Sequence, residues 1–300
     1  MSEIAGSEHD TLIGGVADLT ERLEKQGYLV DEGLATALTL SVRLRQPLLL
    51  EGEAGVGKTE AAKCLAAALG APLIRLQCYE GVELSDALYE WNYPRQLLAI
   101  RLAEASGVKV SDADLFTLEY LVERPILAAL RHPGPTPAVL LIDEVDRADD
   151  EFEAFLLEML AESSVTIPEL GTLRATHPPI VILTSNRTRD LHDALKRRCL
   201  YHWIDFPSTE RAAAIIRNRV RASAVPLAEH VAASVARLRT LELQKSPGIA
   251  EAISWASAID VLGFSEFDQT SAAATLGSVI KYREDADTVA AKGMAWLVEP

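Results

Sequence analysis

The pattern of hydrophobic and polar residues divides the chain into two parts. Up to residue 207, short apolar runs alternate with segments of helical periodicity, and five runs have the length of strands, namely residues 48–50, 73–78, 138–142, 180–183 and 200–206. Strands separated by helices are typical of a parallel sheet. From residue 208 the strand pattern stops and helical patterns follow one another. The pattern therefore predicts an α/β domain over 1–207, with a polar and mobile segment at 1–10, and an all-helical domain over 208–300.

The first predicted strand leads into a glycine-rich turn and then into an alanine-rich helix. The turn matches the phosphate-binding pattern G-x-x-x-x-G-K-[ST], in which backbone N–H groups and a helix N-terminus surround an anion. Lys58 is expected to reach the β- and γ-phosphates, and the Thr59 hydroxyl to hold Mg²⁺. A glycine-rich turn that binds nothing is the alternative, which the flanking strand and helix disfavour. The predicted nucleotide-binding residues are Gly52, Glu53, Ala54, Gly55, Val56, Gly57, Lys58, Thr59 and Glu60.

Two adjacent carboxylates follow the third predicted strand. Residues 138–146 read AVLLIDEVD, so Asp143 and Glu144 stand at the carboxyl end of a strand that is apolar at five consecutive positions. Open parallel α/β sheets bind ligands at this end of their strands. Asp143 is expected to hold hydrated Mg²⁺, and Glu144 to accept a proton from the water that attacks the γ-phosphate. An acidic strand exit is common in α/β proteins, but the phosphate-binding loop favours the functional interpretation.

Two further polar features lie near the last predicted strands. Asn186 follows the strand at 180–183, and its amide both donates and accepts hydrogen bonds, so it could orient the attacking water or sense the γ-phosphate. An asparagine at a strand end is also a common turn former. Arg197 and Arg198 belong to a basic run before the strand at 200–206. This run is either a solvated helix end, where cations suit the carbonyl dipoles, or the source of an arginine that reaches a neighbouring subunit's nucleotide.

Aromatic residues alternate along one segment, at Tyr89, Trp91 and Tyr93, and Pro94 follows them. Period-2 spacing that ends at a proline predicts a small exposed hairpin within residues 80–101. Its rings either pack on one another or form a contact surface for another protein. The next segment, residues 115–131, is predicted to be a helix that is interrupted near its proline.

The composition narrows the classes of function. The formal net charge of −15 and the isoelectric point near 4.9 disfavour binding to nucleic acid or to an anionic membrane, and favour protein partners. The three cysteines are odd in number and far apart, so no disulfide framework is expected. No apolar run approaches the roughly 18 residues of a membrane span, and no targeting segment is recognised. These features predict a cytoplasmic protein.

The strand pattern, the phosphate-binding loop, the acidic strand end and the arginine run together resemble an AAA+ ATPase. The resemblance implies a P-loop α/β core with a five-stranded parallel sheet flanked by helices, and a C-terminal helical lid. Six segments are similar to the MoxR family, in particular to its branch encoded with molybdenum-containing carbon monoxide dehydrogenases: GEAGVGKTE, RLQCYEG, ALYEWNYPRQLL, VLLIDEVDRAD, LTSNRTRDL and DALKRRCLYHWIDFP. By this resemblance Lys58 and Thr59 belong to the Walker A motif, Asp143 and Glu144 to the Walker B motif, and Asn186 is sensor 1.

Other residues receive a role from the resemblance alone. Arg197 and Arg198 lie where the family places its arginine finger, and Arg198 is the first choice. Leu29 and Val30 match the stretch that lines the adenine pocket. The aromatic segment matches an insertion that can face the central pore of a ring. Many relatives carry a sensor 2 arginine after a Ser-Pro at the start of a lid helix, but here the Ser-Pro at 246–247 is followed by Gly-Ile-Ala-Glu.

The resemblance implies an ATPase that uses ATP and Mg²⁺ and works as a ring, expected to be a hexamer. Hydrolysis would drive remodelling, or maturation of the metal centre, of a client metalloenzyme such as a molybdenum hydroxylase. The resemblance also implies a partner that carries a von Willebrand factor A domain. This chain lacks the D-x-S-x-S loop of such domains, so the partner is expected to be a separate protein. Two alternative functions stay open. One is a nucleic-acid motor on the same core, which the net charge disfavours. The other is a nucleotide-gated scaffold with little hydrolysis, which Glu144 and Arg198 disfavour.

Overall fold

The computed structural model describes residues 12–299 of the 300-residue chain, and the segment expected to be mobile, residues 1–10, lies outside them. The chain forms two compact units. The first takes in the described residues up to Arg22, Glu32–Glu51 and Ala62–His202. The second takes in Leu23–Asp31, Gly52–Ala61 and the described residues from Trp203 onward.

The strands and helices are named here in chain order. The strands are β1 (Leu48–Glu51), β2 (Leu73–Gln77), β3 (Tyr89–Trp91), β4 (Leu121–Glu123), β5 (Val139–Asp143), β6 (Ser164–Ile167), β7 (Gly171–Arg174), β8 (Ile180–Ser185) and β9 (Leu200–Trp203). The helices are α1 (Val16–Lys25), α2 (Glu32–Leu44), α3 (Lys58–Leu69), α4 (Leu84–Ala87), α5 (Tyr93–Ala105), α6 (Asp112–Leu115), α7 (Pro125–Leu130), α8 (Asp150–Glu162), α9 (Asp193–Lys196), α10 (Thr209–Arg219), α11 (Ala228–Leu238), α12 (Ile249–Val261), α13 (Gln269–Val279), α14 (Arg283–Lys292) and α15 (Met294–Val298).

The central sheet has five strands in the order β2-β5-β8-β1-β9, and it confirms the predicted parallel sheet flanked by helices. Strands β5 and β8 are buried at every position, which explains why both are apolar almost throughout. They pair in parallel, with Leu140 opposite Val181 and Ile142 opposite Leu183. Because the strands run in the same direction, Asp143 at the end of β5, Ser185 at the end of β8 and Glu51 at the end of β1 reach the same edge of the sheet.

The region between β2 and β5 differs from the prediction. The expected exposed hairpin within residues 80–101 is wrong: β3 pairs antiparallel with β4, and the two strands are separated along the chain by α5 and α6. Pro94 does not end a strand but lies in the first turn of α5, where its missing N–H costs nothing. Pro125 likewise begins α7, so the predicted helix over 115–131 is replaced by a short turn, β4 and α7.

Two of the alternating aromatics, Tyr89 and Trp91, lie on β3, and both point inward. The side chain of Trp91 is 7% exposed and belongs to the hydrophobic core of the first unit, and Tyr89 packs against that core. The Trp91 ring makes edge-to-face contacts with Tyr89 at 5.9 Å and with Phe116 at 5.1 Å between centroids. Tyr93, at the start of α5, is 62% exposed. The pattern identified the strand, while its pairing with β4 buried one face of it.

Trp91→Ala is expected to lower the free energy of unfolding by about 3 kcal/mol, because it removes a buried indole and leaves a cavity beside Phe116. Tyr93→Ala is the matched control, and the loss of its exposed ring should change stability by no more than about 0.5 kcal/mol. Denaturant unfolding followed by circular dichroism measures both. Equal destabilisation by the two substitutions would contradict the inward orientation of Trp91.

The second unit is helical over its C-terminal part, as predicted, and the helices α10 to α15 are called the lid below. Its hydrophobic core centres on Trp255, whose side chain is fully buried and whose indole N–H donates to Thr275 Oγ1 at 2.8 Å. The succession of helical patterns predicted from residue 208 onward corresponds to the helices α10 to α15. Among residues 12–299, no helix combines the length and the apolar character needed to cross a membrane.

Candidate functional site

Asp143 is the last residue of β5, and only 2% of its surface is exposed. Thr184, near the end of the neighbouring β8, donates its hydroxyl to Asp143 Oδ1 at 2.5 Å. Arg75 on β2, the strand on the other side, donates to Oδ2 from Nη2 at 2.6 Å and from Nε at 3.0 Å. These partners compensate the cost of burying a charge, which would otherwise amount to several kcal/mol. Strand order alone brings the three side chains together.

Glu144 leaves the strand with a φ of 55°, in the left-handed region that residues with a side chain rarely adopt. Its backbone N–H donates to Thr184 Oγ1 at 2.9 Å, which fixes this turn. Its carboxylate accepts a hydrogen bond from Gln77 Nε2 at 3.2 Å and pairs with Arg147 Nε at 2.9 Å. Unusual backbone conformations of this kind cluster at functional sites.

Arg75 and Gln77 connect the two acids, and the sequence analysis missed both. Arg75 Nη2 donates to Gln77 Oε1 as well as to Asp143, while the amide of Gln77 donates to Glu144. The sequence did contain one indication of this pair: Arg75 and Gln77 are two residues apart on a strand, and residues at that spacing lie on the same face. What the sequence does not show is that this face of β2 lies beside the end of β5.

The pKa of the Cys78 thiol reflects the negative charge near the end of β5. The pKa of Cys78 is raised to about 12, first by burial and then by the negative charges of Asp143, Asp146 and Glu144. A negative potential at the end of β5 favours a cation, and carboxylate and hydroxyl oxygens are the ligands that Mg²⁺ prefers. The residues present therefore fit a magnesium ion.

Asn186 follows β8 directly and is half-buried. Its backbone N–H donates to Asp146 Oδ2 at 3.2 Å, and Thr188 donates to the same oxygen from its N–H at 2.8 Å and its hydroxyl at 2.7 Å. Asp146, which is 2% exposed, thus fixes the backbone that carries Asn186. Within the described residues the amide of Asn186 itself makes no hydrogen bond. Sequence reasoning identified Asn186 but not the role of Asp146.

Arg197 and Arg198 lie in the turn after α9, and both are exposed. Neither forms an ion pair with any acid in the part of the chain that the structure describes. The preceding Lys196 does reach an acid, since its Nζ lies 3.9 Å from Asp190 Oδ1. Within the basic run, Lys196 therefore pairs with an acid of the described chain, whereas the two predicted arginines do not.

The phosphate-binding loop, residues 52–59, belongs to the second unit, and α3 begins at Lys58. Lys58 is 7% exposed, and its Nζ donates to the carbonyl oxygens of Gly52 at 2.7 Å and Glu53 at 2.8 Å. Gly52 must be glycine, because a Cβ there would lie 2.3 Å from the carbonyl oxygen of Ile204. The loop therefore wraps around a buried ammonium group, which suits an anion.

The predicted adenine-lining residues, Leu29 and Val30, are half-buried in the same unit. The neighbouring Tyr28 places its hydroxyl 3.5 Å from the carbonyl oxygen of Gly57. Arg211 on α10, which sequence reasoning missed, donates to the Leu29 carbonyl oxygen at 2.7 Å. The structure thus brings this stretch to the phosphate-binding loop and holds it against the lid.

Glu60, also predicted to bind nucleotide, directs its carboxylate to the lid. Its Oε1 accepts a hydrogen bond from Arg219 Nη2 at 2.8 Å. Both groups are about one third exposed, so the pair contributes little to stability. Its side chain joins the start of α3 to the end of α10.

An acid pair at the end of a parallel strand, in a chain that also carries a glycine-rich loop around a buried lysine, defines a P-loop nucleoside triphosphatase. The family model for the AAA domain of the dynein-related subfamily matches residues 47–199, just over half of the chain, and the chain belongs to this family. A comparison with curated proteins found no significant match. Membership makes the chain an ATPase that uses ATP and Mg²⁺, which confirms the predicted activity and cofactors.

Proposed function

We propose that this chain is a MoxR-family ATPase that works in a ring of identical subunits and remodels a client metalloenzyme. One observation supports the proposed ring. Arg197 and Arg198 are exposed without an acid partner in residues 12–299, although the chain has 44 acidic residues against 29 basic ones. Such arginines suit an anion from outside their own chain, and the phosphates bound by a neighbouring subunit supply one. AAA+ proteins generally oligomerise, which supports this assembly.

The phosphate-binding loop is proposed to hold the β- and γ-phosphates. Lys58 would exchange its two carbonyl partners for phosphate oxygens, which are stronger acceptors because they are charged. Thr59 and Asp143 would supply oxygen ligands to hydrated Mg²⁺, and Asp143 would then share or release Arg75. When bound, Mg²⁺ neutralises charge on the transferred phosphoryl group.

Glu144 is proposed to accept the proton of the attacking water. Gln77 and Arg147 both contact the Oε2 atom of its carboxylate, which orients the group, so Oε1 is the oxygen that would take the proton. The amide of Asn186 is proposed to orient the water, because it offers both a donor and an acceptor.

Glu144→Gln is expected to keep ATP binding and to lower turnover by at least about 100-fold, because an amide cannot accept the proton of the water. Glu151→Gln, which neutralises an exposed acid on α8, is the matched control and should behave as the wild type. Phosphate release and ATP affinity are measured in the same preparation. Turnover of Glu144→Gln at the wild-type rate would show that Glu144 is not the base.

The client and the partner are proposed from the motif resemblance, chiefly from the segments at residues 87–98 and 193–207. Glu144→Gln protein loaded with ATP should trap the ring on its client, and mass spectrometry of captured proteins identifies it. We expect a metalloenzyme such as a molybdenum hydroxylase, together with a protein that carries a von Willebrand factor A domain. Lys58→Ala is the control that should capture neither. Capture of nucleic-acid-processing proteins instead would favour a nucleic-acid motor.

A further inference from the structure

The N-terminus of α12 in the lid lies against the phosphate-binding loop, and both belong to the second unit. The N–H of Ile249 donates to the carbonyl oxygen of Gly55 at 2.9 Å. Gly248 approaches Gly55 so closely that a Cβ on it would lie 2.7 Å from the Cα and carbonyl oxygen of Gly55. This is the position at which a sensor 2 arginine is expected. The contact therefore excludes an arginine at 248 unless the helix moves away from the loop.

Glu251 fills the space beside this contact. A Cβ on Gly55 would lie 2.9 Å from Glu251 Oε2, and the same oxygen accepts the N–H of Gly248 at 3.0 Å. The side chain of Glu251 is 18% exposed. Two cations lie near it: Lys245, whose Nζ lies 3.9 Å from Oε1 and whose side chain is 43% exposed, and Arg239, whose Nε donates to the Pro247 carbonyl oxygen at 2.8 Å and whose charge interacts with that of Glu251. At Gly55 the lid therefore places a carboxylate against the loop, while the guanidinium of Arg239 stacks on the Phe206 ring at 4.0 Å.

We propose that Glu251 determines how strongly the phosphate-binding loop prefers ATP to ADP, by opposing the negative charge of the phosphates. The proposal rests on the phosphate-binding role of residues 52–59. A guanidinium at this place would attract the γ-phosphate and strengthen the preference for ATP. A carboxylate repels it, and the repulsion is larger for the nucleotide that carries one more phosphate.

A second effect of Glu251 acts in the same direction. The N-terminus of a helix carries a partial positive charge, which would favour a nearby anion. An acid in the first turn that accepts a hydrogen bond from the capping residue neutralises that charge. Lys245 offsets only part of the negative charge of Glu251, because a pair at 3.9 Å with an exposed ammonium is well screened by water. The charge of Glu251 therefore weakens the attraction of the start of α12 for phosphate.

Glu251→Gln tests the proposal, because glutamine keeps an oxygen that accepts the Gly248 N–H and removes only the charge. Isothermal titration with Mg·ATP and with Mg·ADP, at low and high salt, gives the dissociation constants. We expect ATP to bind about threefold to tenfold more tightly and ADP to gain less, with a difference that shrinks as salt rises. Lys245→Ala, which removes one counterion of Glu251 and leaves Arg239, should shift the ATP to ADP ratio the opposite way.

Glu266→Gln, at an exposed acid of the same unit, controls for the change in net charge, and thermal unfolding controls for folding. Equal gains for ATP and ADP, or no change in the ratio from either variant, would overturn the proposal. If Glu251→Gln failed to fold, the ratio measured for Lys245→Ala would decide. Retained ATP binding in Lys58→Ala would instead overturn the role of the loop, which keeps the two failures distinguishable.

Discussion

Lys58→Ala is expected to abolish measurable ATP binding, and turnover with it. The loop encloses the ammonium of Lys58 at 7% exposure, and the two carbonyl oxygens it bonds belong to the loop itself. Phosphate recognition depends on charge-assisted hydrogen bonds from such a group. Alanine removes the charge and its three donors, and leaves the loop without a cationic side chain to hold the phosphates.

Lys63→Ala is the matched control, since Lys63 lies on the same helix but is exposed. Equilibrium binding of a fluorescent ATP analogue, with unlabelled ATP as competitor, measures both variants. Because Lys58 also bonds loop carbonyls, its loss could loosen the loop, and circular dichroism and the melting temperature are recorded alongside. A folded Lys58→Ala protein that binds ATP as tightly as Lys63→Ala would show that the loop is not the phosphate site.

The central sheet and the candidate acids could be predicted because their signals are local. Residues 139–143 are apolar until the acid at the end, and a strand buried on both faces requires this pattern. The phosphate-binding loop requires glycine, lysine and threonine at fixed spacing, since its backbone has to approach an anion closely. The carboxyl ends of parallel strands lie along the same edge of a sheet, so the sequence alone could place Asp143 and Asn186 at one edge.

The segment between β2 and β5 could not be predicted, because its structure depends on a distant pairing. Strand β3 finds its partner in β4, some thirty residues later along the chain, and local alternation does not say which strand pairs with which. Prolines 94 and 125 were interpreted as breaks, but each lies in the first turn of a helix, where proline is well tolerated. A proline can end one element or lie in the first turn of the next, and only the tertiary structure decides which of the two occurs.

The partners of the candidate acids were also beyond the sequence. Arg75 and Gln77 reach Asp143 and Glu144 from a neighbouring strand, and their spacing shows only that they share a face of β2, not that this face lies beside the end of β5. The sequence likewise showed that an arginine is missing after the Ser-Pro of the lid. It could not show that Gly248 instead packs on Gly55, because that contact joins residues almost two hundred positions apart.

Arg198→Ala is expected to lower ATP turnover by roughly 10³-fold or more while ATP affinity stays nearly unchanged. An arginine supplied by a neighbouring subunit stabilises charge in the transition state of phosphoryl transfer and contributes an effect of this size. The side chain is exposed and lacks an acid partner in the described residues, so its removal should not disturb folding. Arg197→Ala is measured separately to identify which arginine acts, and Arg101→Ala, at an exposed position on α5, is the control for loss of positive charge.

Mixing subunits tests whether Arg198 acts on a neighbour's nucleotide. Arg198→Ala subunits retain Glu144, and Glu144→Gln subunits retain Arg198, so a mixed ring contains interfaces at which an intact base meets an intact arginine. Two inactive proteins should therefore recover activity when mixed, with a maximum at intermediate ratios, and native mass spectrometry verifies that rings contain both kinds of subunit. If verified mixed rings recovered no activity at any ratio, the arginine would not act between subunits. Recovery by Arg197→Ala mixtures, with Arg198→Ala fully active alone, would assign the role to Arg197.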